Sequence, residues 1–273
     1  HKLFPGKEFC GQLHISQIGI KSKQLKNINV NVYNNEANLW KKMIPRRRWN
    51  KNKYDYGHAV IFSGEMTGAT KLASLSCLRA GAGLVTIMSP KKYEMAYRLF
   101  NPSLMILSSK FESENTKNFL SDKRINALAY GFGSVSSVET KKQTLEILKL
   151  NKPTVLDAGS LTSFSSKPEI LYKSCHTKTI LTPHSGEFER IFPQLRNITK
   201  LKSCQKASQL TNSVIVLKGA DTIIAEPSGN TIICSEPFSP WLATAGTGDV
   251  LSGLIASMLA QGLDCFHAAA AGV

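Results

Sequence analysis

The 273-residue sequence lacks the features that define several broad classes of protein. No apolar run reaches about 18 residues, the length of a membrane-spanning helix, and no stretch resembles a secretory signal. The six cysteines are scattered without a C-x-x-C pair, so neither a zinc site nor a disulfide framework is indicated. We therefore expect a cytoplasmic protein that has no membrane partner.

Acidic residues are scarce: 19 Asp and Glu stand against 34 Lys and Arg, which gives a formal net charge of +15. Nucleic-acid binding, an anionic small substrate and a plain compositional bias each explain such a charge. The basic residues are spread along the chain, and no RNA-binding signature interleaves them with aromatic residues. We therefore expect no nucleic-acid partner, and we attribute the charge to composition with a contribution from an anionic ligand.

Strand and helix patterns alternate along most of the chain. This alternation predicts an α/β fold in three layers, α/β/α, around a mostly parallel central sheet. The run 213–234 contains two short turns, which predict an antiparallel meander at one edge of that sheet. Strands are predicted at 58–62, 84–88, 104–108, 126–130, 153–158, 179–182, 213–217, 221–226 and 230–234, and helices at 68–80, 91–99, 137–150, 200–212, 248–262 and from 264 onward.

The first 45 residues differ in pattern from the rest. Alternating apolar residues predict a strand over Leu13–Ile20, and Asn34–Met43 is predicted to form a short helix. The basic run 45–53 is interpreted as a solvated linker, with a targeting signal as the alternative. We therefore predict a domain boundary near residue 45, with the main domain at 46–273. Because the sequence begins without Met and stops inside a predicted helix, we expect a piece of a longer protein that is truncated at its C-terminus.

The stretch 243–257 joins a glycine-rich turn to a helix. Backbone amides at a helix N-terminus attract anions, so the amides of Ala245, Gly246, Thr247 and Gly248 predict an anion hole. Asp249 follows them directly. It is either a helix cap or a base that takes a proton from a group being phosphorylated, and these residues alone leave both roles open.

Other polar residues follow the ends of predicted strands, where ligands bind in sheets of this kind. Asp157 is interpreted either as a partner of a Mg²⁺-bound water or ligand hydroxyl, or as a helix cap. His184 and Glu187 are spaced like a metal pair, but no third ligand stands nearby, so we favour a polar contact between His184 and a ligand. The cap of that helix would then be Thr182 or Ser185. Lys218 precedes a tight turn and either faces a phosphate or begins a hairpin.

A set of blocks resembles, in order, the ADP- or ATP-dependent NAD(P)H-hydrate dehydratase family, which has the ribokinase-like fold. The resemblance extends over about residues 46–273, and residues 1–33 resemble the tail of the NAD(P)H-hydrate epimerase domain that is often fused upstream. Ala245 stands where a glycine is common, which is tolerated if its φ is negative. The matching blocks are Tyr56–His58, Gly64–Ala69, Arg79–Thr86, Leu156–Ala158, Leu181–Phe188, Leu217–Thr222 and Gly246–Leu251.

The resemblance implies a repair reaction and a role for individual residues. NADHX or NADPHX, the hydrated forms of the reduced cofactors, would be phosphorylated on the ring hydroxyl by ADP or ATP with Mg²⁺ and would then lose phosphate. Asp249 would be the catalytic base, and no side chains form a dedicated metal site. The hydrated dinucleotide would contact Ala69, Gly133, His184 and Asp249, and the adenine nucleotide would contact Lys218, Gly219, Ala220, Asp221, Thr222 and Gly248.

Two other functions stay open. The first is a small-molecule alcohol kinase of the same fold, and the second is a nucleotide-binding module without catalysis. Replacement of Asp249 separates the last from both enzymes, because a binding module has no turnover to lose. We also expect the chain to form a homo-oligomer.

Overall fold

A single sheet organises the chain. The computed structural model describes residues 1–25, 28, 30–235 and 239–273. Its strands are β1 (Val32–Asn34), β2 (His58–Phe62), β3 (Leu84–Ser89), β4 (Met105–Ser108), β5 (Ile125–Tyr130), β6 (Thr154–Leu156), β7 (Thr179–Leu181), β8 (Val214–Leu217), β9 (Thr222–Ala225) and β10 (Thr231–Cys234).

Within these described residues the strands form one ten-stranded sheet in the order β1-β10-β9-β8-β7-β6-β5-β2-β3-β4. The strands from β8 to β4 in this order are parallel to their neighbours, as expected for strands joined by helical crossovers. β8, β9 and β10 pair antiparallel, and the short β1 adds a parallel strand outside them. The predicted mostly parallel sheet with an antiparallel meander at one edge is confirmed.

Helices cover both faces of the sheet, which gives the three predicted layers. Short 3₁₀ helices lie at Gly6–Phe9, Lys53–Tyr56, Lys91–Tyr93, Pro193–Leu195 and Pro240–Leu242. The α-helices are α1 (Ser22–Leu25), α2 (Ala37–Trp40), α3 (Thr67–Arg79), α4 (Glu94–Arg98), α5 (Glu114–Ser121), α6 (Val138–Lys149), α7 (Gly159–Thr162), α8 (Pro168–Ser174), α9 (Ser185–Ile191), α10 (Lys200–Thr211), α11 (Thr247–Ala260) and α12 (Cys265–Gly272).

Apolar side chains on both faces of the strands form two cores. In β2, Ala59 and Ile61 point into one core, and Val60 and Phe62 point into the other. The first core is completed by α3, α11 and α12, and the second by α5, α6, α8, α9 and α10. Because both faces of such a strand are buried, its sequence is a continuous apolar run instead of an alternation.

Two helices of the first core touch through their backbones. A Cβ placed on Gly253 of α11 would lie 2.0 Å from Ser76 Oγ and 2.1 Å from the Ala73 carbonyl oxygen of α3. The Ser76 hydroxyl donates a hydrogen bond of 3.0 Å to the Val250 carbonyl of α11. α3 and α11 therefore pack as closely as two helices can, and only glycine fits at their crossing.

The N-terminal region departs from its predicted structure. Residues 11–20 form neither strand nor helix, so the strand predicted over Leu13–Ile20 is wrong. Ile15 and Ile18 are 89% and 81% exposed, and no strand among the described residues pairs with this segment. The strand in this region is instead β1, and the predicted helix over 34–43 is reduced to α2.

β1 is the outermost strand of the sheet, and the segment that leads from it to α2 is bonded to α12. The Asn35 side-chain amide donates to the Ala270 carbonyl oxygen of α12 at 2.9 Å, and the Trp40 indole donates to Asn35 Oδ1 at 3.1 Å. The domain boundary near residue 45 stays a prediction. In the described part of the chain, no helix combines the length and the apolar character that crossing a bilayer requires.

Candidate active site

A cleft of about 610 Å³ opens at the carboxyl ends of β6, β7 and β8, beside the N-terminus of α11. Parallel strands present their carboxyl ends at one edge of the sheet, so residues far apart in sequence meet there. The cleft is lined by Asp157, Ala158, His184, Ser185, Glu187, Lys218, Gly219, Thr244, Gly246, Thr247, Gly248 and Asp249.

The glycine turn before α11 ends with unpaired amides. Gly246 is the N-cap and has φ 91°, a left-handed conformation that glycine adopts without steric cost. Among the described residues, no acceptor takes the backbone N–H groups of residues 245–249, and the first amide of this segment with a partner is that of Val250, which bonds the Gly246 carbonyl at 3.0 Å. Positive φ values outside glycine occur at Asn151, Ala158 and Asn212 in the described chain, so Ala245 keeps a negative φ.

The Asp249 carboxylate lies in the first turn of α11 and is half-buried at the cleft. It is not the cap, because Gly246 holds that position. No described residue donates a hydrogen bond to its side chain, which leaves both oxygens available to a ligand. Burial raises the pKa of Asp249, the nearby charge of Asp157 raises it further, and Lys218 opposes both effects. A half-buried carboxylate with a raised pKa and no partner is chemically suited to accept a proton.

Asp157 and Lys218 form a buried ion pair beside Asp249. The Lys218 ammonium group donates to Asp157 Oδ1 at 2.7 Å, and the Lys218 and Asp157 side chains are 18% and 3% exposed. The Ala158 amide donates to the same oxygen at 2.8 Å, and the Ser252 hydroxyl donates to Oδ2 at 3.1 Å. The helix cap proposed for Asp157 is wrong, since Ala158 is the N-cap of α7.

His184 caps α9 and is held close to Lys218. Its Nδ1 accepts the amide hydrogens of Gly186 at 3.0 Å and Glu187 at 3.3 Å, while Glu187 Oε2 accepts the His184 amide at 2.9 Å. The caps predicted at Thr182 or Ser185 are therefore wrong. The Lys218 amide donates a hydrogen bond of 2.9 Å to the Pro183 carbonyl. His184, after β7, and Lys218, after β8, are therefore still paired beyond the ends of the two strands.

Ala69 and Gly133 lie together but outside the lining of the cleft. A Cβ on Gly133 would be 3.0 Å from the Ala69 Cβ, so the turns after β2 and β5 are in direct contact. Leu72, one helical turn after Ala69, lies 2.6 Å from where a Gly246 Cβ would be. Leu72 therefore lies beside the glycine turn of α11, one helical turn after Ala69.

Only part of the segment 218–222 faces the cleft. Lys218 and Gly219 line it, and Ala220 is exposed beyond it. Asp221 is buried and accepts hydrogen bonds from the Lys200 ammonium group and from the Phe4 amide. The Thr222 hydroxyl donates to the Gly219 carbonyl at 2.9 Å, which fixes the shape of the turn.

A sequence profile of the NAD(P)H-hydrate dehydratase family matches residues 59–273. The chain belongs to this family. A bifunctional NAD(P)H-hydrate repair enzyme of Moorella thermoacetica is 31% identical over 281 residues, which cover 98% of this chain and 53% of that protein. The chain spans about half the length of the curated relatives of this kind.

Solved structures agree with the family. The ADP/ATP-dependent NAD(P)H-hydrate dehydratase of Bacillus subtilis, crystallised with ATP and Mg²⁺, superposes with a TM-score of 0.71 at 27% identity over 90% of this chain and 86% of that chain. A ribokinase-like superfamily protein of Enterococcus faecalis gives a TM-score of 0.76 at 23% identity over 89% of this chain and 84% of its own. The ribokinase-like fold expected from the sequence is confirmed.

The donor groups of this cleft suit a cation that arrives with phosphates. Among the described residues, no three His, Cys, Asp or Glu side chains form a metal-binding group. Glu187 is buried, and its Oε1 accepts no hydrogen bond within the described chain, whereas both Asp157 oxygens are occupied. Burial and the Asp157 charge raise the pKa of Glu187, while Lys218 lowers it. Mg²⁺ commonly takes one or two carboxylates and completes its shell with phosphates and water.

Sequence reasoning missed two residues of the site in this family member. Ser252 is fully buried and bonds Asp157, and Thr244 lines the cleft. Ser252 carries a signal that could have been used, because it is a polar residue one helical turn after Asp249 and so lies on the same face of the helix. Thr244 carries no comparable signal, since it stands in an irregular segment.

Proposed function

We propose that this chain dehydrates NADHX and NADPHX to NADH and NADPH and consumes ADP or ATP. The observation that carries the proposal is the Asp249 carboxylate, which has no hydrogen-bond partner in the described chain. It stands beside Lys218 and beside the amides of residues 245–248, for which no acceptor is found among the described residues. Family membership supports the reaction class, and the Bacillus subtilis dehydratase that was crystallised with ATP and Mg²⁺ supports the adenine nucleotide. The same residues suit the transfer of a phosphoryl group to a hydroxyl.

In the first step of this reaction, Asp249 accepts the proton of the ring hydroxyl as its oxygen bonds the terminal phosphorus of the nucleotide. The bond between that phosphorus and the leaving nucleotide oxygen breaks. The amides of residues 245–248 and the Lys218 ammonium group stabilise the negative charge on the transferring phosphoryl oxygens. The hydroxyl thereby becomes a phosphate ester, which is a far better leaving group than hydroxide.

The second step removes the phosphate. The carbon–oxygen bond breaks and its electron pair departs with inorganic phosphate. The neighbouring ring carbon loses a proton to solvent, and the electron pair of that carbon–hydrogen bond restores the ring double bond. We propose that His184 and Asp249, with Ala69 and Gly133, contact the hydrated dinucleotide. Lys218, Gly219, Ala220, Asp221, Thr222 and Gly248 are proposed to contact the adenine nucleotide, Asp221 and Thr222 through the backbone of their turn.

Mg²⁺ fits this scheme as a partner of the nucleotide. Glu187 would hold it together with phosphate oxygens and water, because its buried Oε1 has no closer partner in the described chain than His184 Nε2 at 3.5 Å. The ion would neutralise charge on the phosphoryl oxygens when bound. Asp249 is left to act as the base.

The reaction is tested by incubating the protein with NADHX, Mg²⁺ and either ADP or ATP. We expect the near-ultraviolet absorbance of reduced nicotinamide to return, with one phosphate released per NADH formed. No return of absorbance, together with phosphorylation of another alcohol, would show the small-molecule kinase instead. Nucleotide binding without any turnover would show a binding module.

We also propose that residues 1–45 derive from an upstream epimerase domain and its linker. The match to the bifunctional Moorella relative extends over 98% of this chain, which supports this origin. A cytoplasmic setting is supported by the six cysteines, all described and all free thiols. Self-association stays a prediction that light scattering of the purified chain would check.

A further inference from the structure

Two positive features meet at one point of the cleft. A Cβ placed on Gly248, in the first turn of α11, would lie 3.4 Å from Lys218 Nζ and 3.7 Å from Asp157 Oδ2. The N-terminus of a helix carries partial positive charge, so an ammonium group beside it is repelled unless a negative group holds it there. The position of Lys218 therefore needs an explanation.

Asp157 supplies that negative group. It follows β6, it is buried, and its carboxylate accepts hydrogen bonds from Lys218, Ala158 and Ser252. The Ala158 amide and the fully buried Ser252 hydroxyl each hold one of the two carboxylate oxygens. The direction in which Lys218 is held is thus set by three elements: the ends of β6 and β8 and the second turn of α11.

The Lys218 ammonium group keeps donors for a ligand. It carries three N–H groups, and in the described part of the chain its one hydrogen-bond acceptor is Asp157. Its side chain is 18% exposed and it lines the cleft, so the remaining donors can reach an anion there. The unpaired amides of the α11 turn border the same region.

We propose that Asp157 and Ser252 are positioning residues that hold the Lys218 ammonium group against the N-terminus of α11, so that both bind the same nucleotide phosphate. This inference rests on the proposed function only in taking the anion to be an adenine nucleotide. Three donors already share the two Asp157 oxygens, so the part of Asp157 in this arrangement is to hold Lys218. In this ion pair, Lys218 binds the anion and Asp157 holds Lys218 in place.

A purely structural ion pair makes a different prediction. If the pair only stabilises the fold, loss of Asp157 lowers the melting temperature and the fraction of folded protein, and leaves nucleotide affinity per folded molecule unchanged. If Asp157 positions Lys218, its loss weakens nucleotide binding through Lys218 alone. A double-mutant cycle separates these roles, because coupled residues show non-additive effects.

The experiment measures ADP and ATP binding to the full chain by titration calorimetry. We expect Lys218→Met to weaken binding on the order of tenfold or more, as the loss of a charge-assisted hydrogen bond implies. Asp157→Asn should weaken it by a similar factor in the wild-type background, and have no further effect in the Lys218→Met background. Multiplying effects of the two substitutions would overturn the proposal.

Ser252→Ala provides a second test in case Asp157→Asn fails to fold. It should weaken ADP binding about threefold in the wild-type background and have no effect on binding in the Lys218→Met background. Ser257→Ala is its matched control, because Ser257 is buried on the same helix but accepts hydrogen bonds from Ala82 and Gln261, away from the cleft. Equal effects of Ser252→Ala and Ser257→Ala would contradict a positioning role.

These experiments test the positioning role and the proposed function independently. A chain that binds ADP with the expected coupling but does not dehydrate NADHX retains the positioning role and loses the proposed function. A chain that dehydrates NADHX while Asp157 and Lys218 act additively retains the function and loses the positioning role.

Discussion

His184 and Glu187 cap the same helix from opposite directions. The imidazole Nδ1 accepts amide hydrogens from the first turn of α9, and the Glu187 carboxylate accepts the His184 amide. Because Nδ1 accepts, the ring proton is on Nε2, which lies 3.5 Å from Glu187 Oε1 in a side chain that is 56% exposed. The capping role thus fixes the tautomer and gives His184 a donor for a ligand in the cleft.

Two substitutions at His184 separate its roles. His184→Ala should lower the free energy of unfolding by about 1 kcal/mol, the usual cost of a lost N-cap, and should raise KM for NADHX. His184→Asn should keep stability, because Asn is a good N-cap, but should raise KM similarly since its short side chain lacks Nε2. Urea unfolding and initial rates measure both quantities. A wild-type KM in the Asn variant would show that the ring makes no contact with substrate.

Asp249→Asn tests the base directly. The change keeps the shape of the side chain and removes its ability to accept a proton, so kcat should fall about 10²- to 10⁴-fold. ADP affinity should change little, because the amides of the α11 turn remain. Calorimetry with ADP gives the binding control. Turnover above a tenth of the wild-type rate would exclude Asp249 as the base.

The pH dependence of kcat should report the environment of Asp249. Its pKa is raised by burial and by Asp157, so the ionised base is lost, and kcat falls, at a higher pH than for an ordinary aspartate. In the Lys218→Met background, Asp157→Asn removes a negative charge without releasing Lys218, so it should lower the pKa of Asp249 and move the acidic limb to lower pH than in Lys218→Met alone. Lys218→Met removes a positive charge and should move it to higher pH.

The position of the acidic limb is measured as kcat against pH at saturating nucleotide, so that weaker nucleotide binding by a variant does not affect the result. If the two substitutions moved the acidic limb in the same direction, they would be acting by disturbing the structure and not through their charge on Asp249. Ser257→Ala should leave the limb in place.

A pair of glycines tests the turn next to Ala69. A Cβ on Gly64 would lie 2.3 Å from the Gly133 carbonyl carbon, and backbone cannot move aside as a side chain does. Gly64→Ala should therefore lower the free energy of unfolding by about 1–3 kcal/mol. Gly68, four residues later, has open space around its Cβ position, so Gly68→Ala should leave stability unchanged or raise it by up to about 1 kcal/mol. Urea denaturation of both variants checks the contrast, and equal losses would contradict it.

Much of the fold could be predicted because a buried strand is recognisable from its own short stretch of sequence. The predicted strands from 58 to 234 match the observed ones within two residues at each end, since a strand buried on both faces is an apolar run bounded by turns. α5 and α8 were missed because their apolar residues are few and the helices short. The strand expected over Leu13–Ile20 shows the opposite error, since alternation alone provides no neighbour to pair with.

The site could be predicted less completely, because some of its contacts join residues that are far apart in the sequence. The glycine turn and Asp249 are local signals, and the structure places them at one cleft with His184 and Lys218. The bond from Lys218 to Asp157 joins residues 61 positions apart, and the bond from Ser252 to Asp157 spans 95 positions. No spacing rule along the chain expresses such contacts, because the order of strands in the sheet creates them. The resemblance to a family supplied roles for the residues but not this network.

The glycine crossing between α3 and α11 has a consequence for motion. The turn after β2 and the amides before α11 each belong to the N-terminal end of one of these helices, and the helices touch backbone to backbone at Gly253. Because sliding one helix along the other would bring these backbones into collision, we expect the N-terminal ends of α3 and α11 to move as one unit. We expect any closure over bound ligand to be confined to the β8–β9 turn and to residues 239–244, which should show the largest gain in amide hydrogen-exchange protection when nucleotide binds. Specificity could then be altered by exchanging those two segments while the rigid pair of helices is left intact.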